Sequence, residues 1–138
     1  MIRVLKIALI VFAVVEILFG LLLVFFPDKL ASSGGVNDVT GYLKYIMALL
    51  GICLIVPGSF LIVAARDPLR HINWVKFAIV WFILATAAGL YSIVKGDVDF
   101  SHAGMLIILH AVFAVVLFAL YPWQMGKSSK IGKTISKN

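Results

Sequence analysis

Residues Val4–Phe26, VLKIALIVFAVVEILFGLLLVFF, are apolar or glycine throughout except for Lys6 near the start and Glu16 in the middle. A helix needs about 20 such residues to cross a hydrocarbon core roughly 30 Å thick. Backbone N–H and C=O groups find no water in lipid, so a stretch of this kind must satisfy them within itself as a helix. Arg3 and Lys6 ahead of an apolar run also resemble the start of a secretory signal, with Ala31-Ser32-Ser33 as small residues for cleavage. The run is longer than the about 7 to 15 residues of a signal core, and it is expected to remain as a span.

Three more runs have the same character, at Tyr42–Ala65, Val75–Val94 and Gly104–Tyr121. Among 138 residues 63% are hydrophobic and 13% charged, against roughly 25% charged in soluble domains, and the mean hydropathy is +1.12. Too little polar surface is available to cover a water-facing globule. The expected fold is all-α: an integral membrane four-helix bundle, antiparallel and up-down, forming one domain over residues 1–123. Residues 124–138 form a basic tail expected to lack fixed structure. Most connections are short, which makes successive helices antiparallel neighbours. The polar, glycine-bearing segment Pro27–Gly41 is the exception and is expected to be the most mobile link. Pro57-Gly58 should bend the second span.

Twelve Lys and Arg against six acids give a net charge of +6, and their distribution sets the orientation. Arg3, Lys6, Arg66, Arg70, Lys76, Lys127, Lys130, Lys133 and Lys137 fall on one side of the four spans. Lys29, Lys44 and Lys95 fall on the other with Asp28, Asp38, Asp97 and Asp99. The excess of positive charge marks the cytoplasmic side, so both termini are expected there. Aromatic residues at the span ends agree, with Phe26, Tyr42, Tyr45, Tyr91 and Phe100 at the outer interface and Trp74, Tyr121 and Trp123 at the inner one. Small residues at helical spacing, among them Ala13, Gly20, Ala48, Gly51, Gly58, Ala78, Ala85, Gly89 and Ala114, predict seams where helix backbones approach closely.

Glu16, the only glutamate in the chain, lies about 1.5 Å from the middle of its span. A charged side chain there costs roughly 2.5 to 3.5 kcal/mol on insertion scales, so a polar partner at the same depth is expected. His110 on the fourth span lies within about 3 Å of Glu16 in depth, Cys53 falls at the midplane of the second, and Thr86 lies one or two residues outward on the third, at about 1.5 Å each. These four residues predict a buried polar layer centred on a Glu16–His110 hydrogen bond. Such a pair can serve a proton relay or a ligand, or it can hold helices together, worth about 0.6 kcal/mol and rarely above about 1.7. Cys53, His110 and Glu16 are all acceptable zinc ligands, but no motif joins them and no metal site is predicted. His71 and His102 belong near opposite interfaces, which disfavours a bis-histidine haem.

At the outer turn Asp97, Asp99 and His102 form a cluster best explained by capping of the fourth span by Asp99 or Ser101. Lys44 is expected to reach the outer interface. Arg66, Arg70 and the tail lysines Lys127, Lys130, Lys133 and Lys137 are expected to meet anionic headgroups or a partner protein. A single cysteine excludes an internal disulfide and paired-thiol chemistry. There is no phosphate-binding glycine loop, carboxylate dyad, nucleophile elbow or CxxC pair. The tail lacks the arginines and interleaved aromatics of a nucleic-acid binder, so no nucleic acid is expected.

The four-span plan, with Phe19-Gly20-Leu21-Leu22-Leu23-Val24-Phe25-Phe26-Pro27 closing the first span, Ala64-Ala65-Arg66-Asp67-Pro68-Leu69-Arg70 after the second and Tyr121-Pro122-Trp123 after the fourth, resembles the small DoxX-like and BphX-like bacterial membrane families. The resemblance covers Val4 to Trp123 and implies a four-helix bundle. Some DoxX-like members are assigned as membrane subunits of thiosulfate–quinone oxidoreduction and others as assembly factors, while some BphX-like proteins accompany aromatic-degradation genes. No catalytic motif of these families matches residue by residue, so no active site is carried over. The expected function is that of a non-catalytic accessory or binding protein of the cell (inner) membrane, multi-pass, with no cofactor predicted. Its expected partners are membrane lipids and another membrane protein or a second copy. The alternative is a quinone-linked or proton-handling oxidoreductase subunit using Glu16 and His110, with quinone as its cofactor; the third is a small-substrate channel or carrier.

Overall fold

The computed structural model describes residues 1–36 and 38–123, and among these the secondary structure is helical without strands. Helix α1 spans Ile2–Phe25, α2 Pro27–Ser33, α3 Gly41–Arg66, α4 Ile72–Lys95 and α5 Phe100–Leu120. Helices α1, α3, α4 and α5 are long and apolar enough to cross a membrane. Six of their eight ends lie one to four residues beyond the expected ones, as at α5, which begins at Phe100 instead of Gly104, while α1 and α5 each end one residue short. Hydropathy marks the lipid-crossing stretch, whereas the hydrogen-bonded backbone continues into interfacial residues.

The segment after α1 differs from expectation, because Pro27–Ser33 forms a helix and not a loose link. Proline at the first helical position loses no needed N–H, and Asp28 in the first turn complements the helix dipole. The Ser32 and Ser33 hydroxyls donate back to the carbonyls of Lys29 and Leu30. Ala31 is buried, and Lys44 of α3 forms an exposed ion pair with Asp28 at 2.8 Å. Helix α3 starts at a Thr40 cap whose side chain accepts from Leu43 N–H, and it continues unbroken through Pro57. After α4, Gly96 adopts φ +78° while its N–H bonds to Ile93 O and that of Asp97 to Ser92 O. This paired closure favours glycine at the left-handed position. Asp99 occupies the N-cap position of α5 but makes no side-chain cap bond.

Helix α1 packs most closely on α3, and α4 on α5. Where α1 meets α3, a Cβ added to Gly20 would stand 2.6 Å from Gly51 O, and one added to Gly51 would stand 2.6 Å from Gly20 O. Only glycine permits that approach. At one end of the molecule all four long helices close around a shared core of Leu5, Leu9, Phe12, Leu61, Val75, Phe82, Phe113 and Leu117. At the same end Lys6 Nζ donates to Arg66 O at 2.8 Å, and Asp67 Oδ1 accepts from Arg70 N–H in the turn around buried Pro68. The outward faces are apolar, with Ile7, Val11, Val14, Leu18, Ile52, Val80, Ile83 and Val115 among the exposed side chains. A water-soluble monomer rarely exposes so much contiguous apolar surface; acyl chains accept it.

Candidate functional site

Glu16 sits where the packed end of the molecule gives way to an open one. Its helix neighbours Phe12 and Ala13 belong to the core below, while Val15 and Phe19 line a cavity above. Glycine at position 58 lets α3 run directly alongside, since a Cβ there would lie 3.2 Å from Glu16 Cβ and 3.1 Å from Ala13 O. The result is a carboxyl 3% exposed. Its Oε1 lies 3.4 Å from His110 Nε2 of α5, and the imidazole is 17% exposed. At this distance the two groups are in polar contact, at the outer limit of hydrogen-bonding range.

The imidazole is steadied from below by Phe82, whose ring centroid lies 5.9 Å away. Phe82 in turn meets Phe113 edge-on at 5.2 Å, and Phe12 stacks on Phe113 at 3.8 Å. These three rings close the packed end immediately beneath the Glu16–His110 pair.

On the other side lies a cavity of about 430 Å³, a size typical of small-molecule sites. It is bounded by Phe19 and Leu23 of α1, Leu50 and Leu54 of α3, Leu84, Ala85 and Ala88 of α4, and Leu106 and Leu109 of α5, with Leu30 of α2 toward the far end. From Val15 to Leu23 it follows α1 for about 12 Å. Its walls are apolar apart from Glu16, His110 and Trp81. On two of the lining side chains a buried polar atom, Glu16 Oε2 and Trp81 Nε1, has no hydrogen-bond partner among the described residues. Buried polar groups are nearly always paired, so two such atoms on side chains that line one cavity are a feature to explain.

The expected four-residue polar layer is therefore reduced. Glu16 and His110 come together, but Cys53 is exposed on α3. It stands two residues from buried Gly51, about 200° around the helix, so its depth is as expected but its direction is outward. Thr86 is part-buried and donates its hydroxyl to Phe82 O of its own helix at 2.8 Å, the usual back-bond of a helical threonine. Trp81, not singled out from sequence, supplies the third polar group. The signal was present: its indole lies well inside α4, away from the interfacial ends where tryptophan normally finds water. No cluster of three or more His, Cys, Asp or Glu side chains able to hold a metal occurs among the described residues.

Arg66 and Arg70 are exposed at the packed end, and Lys127, Lys130, Lys133 and Lys137 lie outside the described residues. His71 uses Nδ1 on Asp67 O at 3.0 Å, and His102 lies far along the chain at the start of α5, beside Ser101. No protein-family model, curated protein or solved structure matches the chain.

Proposed function

We propose that this chain is a non-catalytic binding protein of the cell (inner) membrane, a four-helix bundle that holds an apolar guest between its helix pairs. The observation that carries the reading is the cavity of about 430 Å³ ending on the Glu16–His110 contact. Apolar walls with a few convergent polar groups are the usual form of a small-molecule site. The Phe12–Phe82–Phe113 plug beneath supports a pocket blind at that end over a channel, because a conducting path needs a wet interior.

The antiparallel, up-down arrangement is supported by the pairing of Gly20 with Gly51 and of Ala13 with Gly58, and by the Lys6 bond to Arg66 at the opposite helix ends. Both termini are proposed to face the cytoplasm, where the basic residues of the packed end meet anionic headgroups. A DoxX-like or BphX-like affiliation remains part of this proposal on the four-span plan alone.

A second reading, proton handling coupled to quinone chemistry, draws on the 3.4 Å approach of Glu16 Oε1 to His110 Nε2. Extraction in a mild detergent, followed by mass spectrometry of bound small molecules and proteins and an absorption spectrum, separates the two. A colourless preparation carrying an apolar guest or a protein partner, retained in Glu16→Gln, is expected. Bound quinone with turnover abolished by Glu16→Gln would transfer the assignment to the second reading.

A further inference from the structure

We propose that the cavity selects a neutral hydroxyl group carried on an apolar body, the hydroxyl lodging between Glu16 Oε2 and Trp81 Nε1. This rests on the binding function proposed above and names the chemistry of the guest. Glu16 Oε1 faces His110 Nε2 at 3.4 Å. With His110 approached through Oε1, the lone pairs of Oε2 are free to accept wherever that oxygen carries no proton. The indole N–H of Trp81 is a donor only. Both atoms lack a hydrogen-bond partner among the described residues, and both side chains line the same cavity. An acceptor and a donor on side chains that line one cavity are complementary to a group that donates and accepts through a single atom.

A hydroxyl does both without carrying charge into an apolar chamber. A ketone or ether accepts from Trp81 but leaves Oε2 unmatched, and an ammonium group serves Oε2 but leaves the indole N–H unmatched. Sites built to hydrogen-bond a hydroxyl reject analogues lacking it, because their own buried groups are then left unpaired. Both atoms are shut off from solvent, so engagement takes a rotation of the carboxyl or the indole toward the guest. The remaining length of the cavity, past Phe19 and Leu23 to Leu30, suits an alkyl or ring body.

The full chain, labelled with ¹⁵N-tryptophan and reconstituted in phosphatidylcholine nanodiscs, is titrated with decan-1-ol, 1-methoxydecane and undecane at matched mole fractions in the bilayer. The indole N–H signal of Trp81 is assigned by its loss in Trp81→Phe. Decan-1-ol should shift that signal downfield and saturably, with half-saturation at about tenfold lower mole fraction than 1-methoxydecane. Undecane should leave its hydrogen-bonding shift unchanged. In Glu16→Ala the preference of alcohol over ether should collapse to about onefold; the three-ligand series in the unaltered chain decides the matter even where that variant does not fold. Equal saturable effects of all three molecules would overturn hydroxyl selection while leaving the binding function standing, as would equal effects of alcohol and ether. No saturable effect from any of them would overturn both.

Discussion

With one carboxyl oxygen 3.4 Å from His110 and the other without a hydrogen-bond partner among the described residues, Glu16 ties α1 to α5 by a polar contact while one buried oxygen stays unpaired. The strength of that tie is measurable as a coupling energy, since single replacements also change packing and only a double-mutant cycle isolates the pair. Glu16→Ala, His110→Ala and the double variant, unfolded reversibly in mixed micelles, should give a coupling of about 1 kcal/mol, within the range of roughly 0.6 to 1.7 found for interhelical hydrogen bonds in membranes. Strict additivity would show that the contact contributes nothing. The approach of these two residues was legible from sequence because helix rise converts residue number directly into depth. Direction around the helix was not: Cys53 shares that depth and points outward. Trp81 is not legible as a polar group from sequence because a tryptophan is ordinarily an anchor or a packing group, and its unpartnered N–H depends on its surroundings in the fold.

Between helices, the closest approach is that of α1 to α3, where each of two glycine positions abuts the other's carbonyl at 2.6 Å from an added Cβ. Gly20→Val would force the backbones apart, and overpacking of this kind costs about 1 to 3 kcal/mol. Gly41→Ala is the matched control, because a Cβ at Gly41 meets nothing within 4 Å, and its effect should stay within about 0.5 kcal/mol. Thermal midpoints of the two variants in one detergent test the contrast; equal losses would mean that the seam is not where helix association resides. The Lys44–Asp28 pair holding α2 against α3 is exposed on both sides, and such pairs contribute about 0 to 1 kcal/mol. Asp28→Asn should accordingly lower the same midpoint only slightly, and by less still in high salt. The long helices were readable from composition alone, since apolar length is itself the physical requirement for spanning lipid. Helix α2 was not, because seven residues rich in serine carry a weak hydropathy signal and their helix rests on Pro27 and Asp28 at its start.

The molecule is asymmetric from end to end: tightly packed where the chain begins, hollow in the half that α2 adjoins. That division follows from which residues face inward along each helix. Within α4 the first half turns Val75, Ala78, Ile79 and Phe82 into the core, whereas the second half turns Ala85 and Ala88 toward the cavity. Alanines 78 and 85 are seven residues apart, two helical turns along nearly the same face, so one substitution can interrogate both halves. Ala78→Leu inserts its added carbons among side chains already in contact and should cost about 1 to 3 kcal/mol. Ala85→Leu projects the same carbons into the cavity, where they gain contacts instead of displacing them, and stability should be unchanged within about 0.5 kcal/mol or raised. The second variant should also lose the saturable decan-1-ol response at Trp81, having filled the space the guest needs while leaving Glu16, His110 and Trp81 intact. Unfolding midpoints in mixed micelles and the indole titration together read both halves of this expectation. Equal destabilisation at the two sites would mean that the chamber closes up in the bilayer and that no guest is accommodated there.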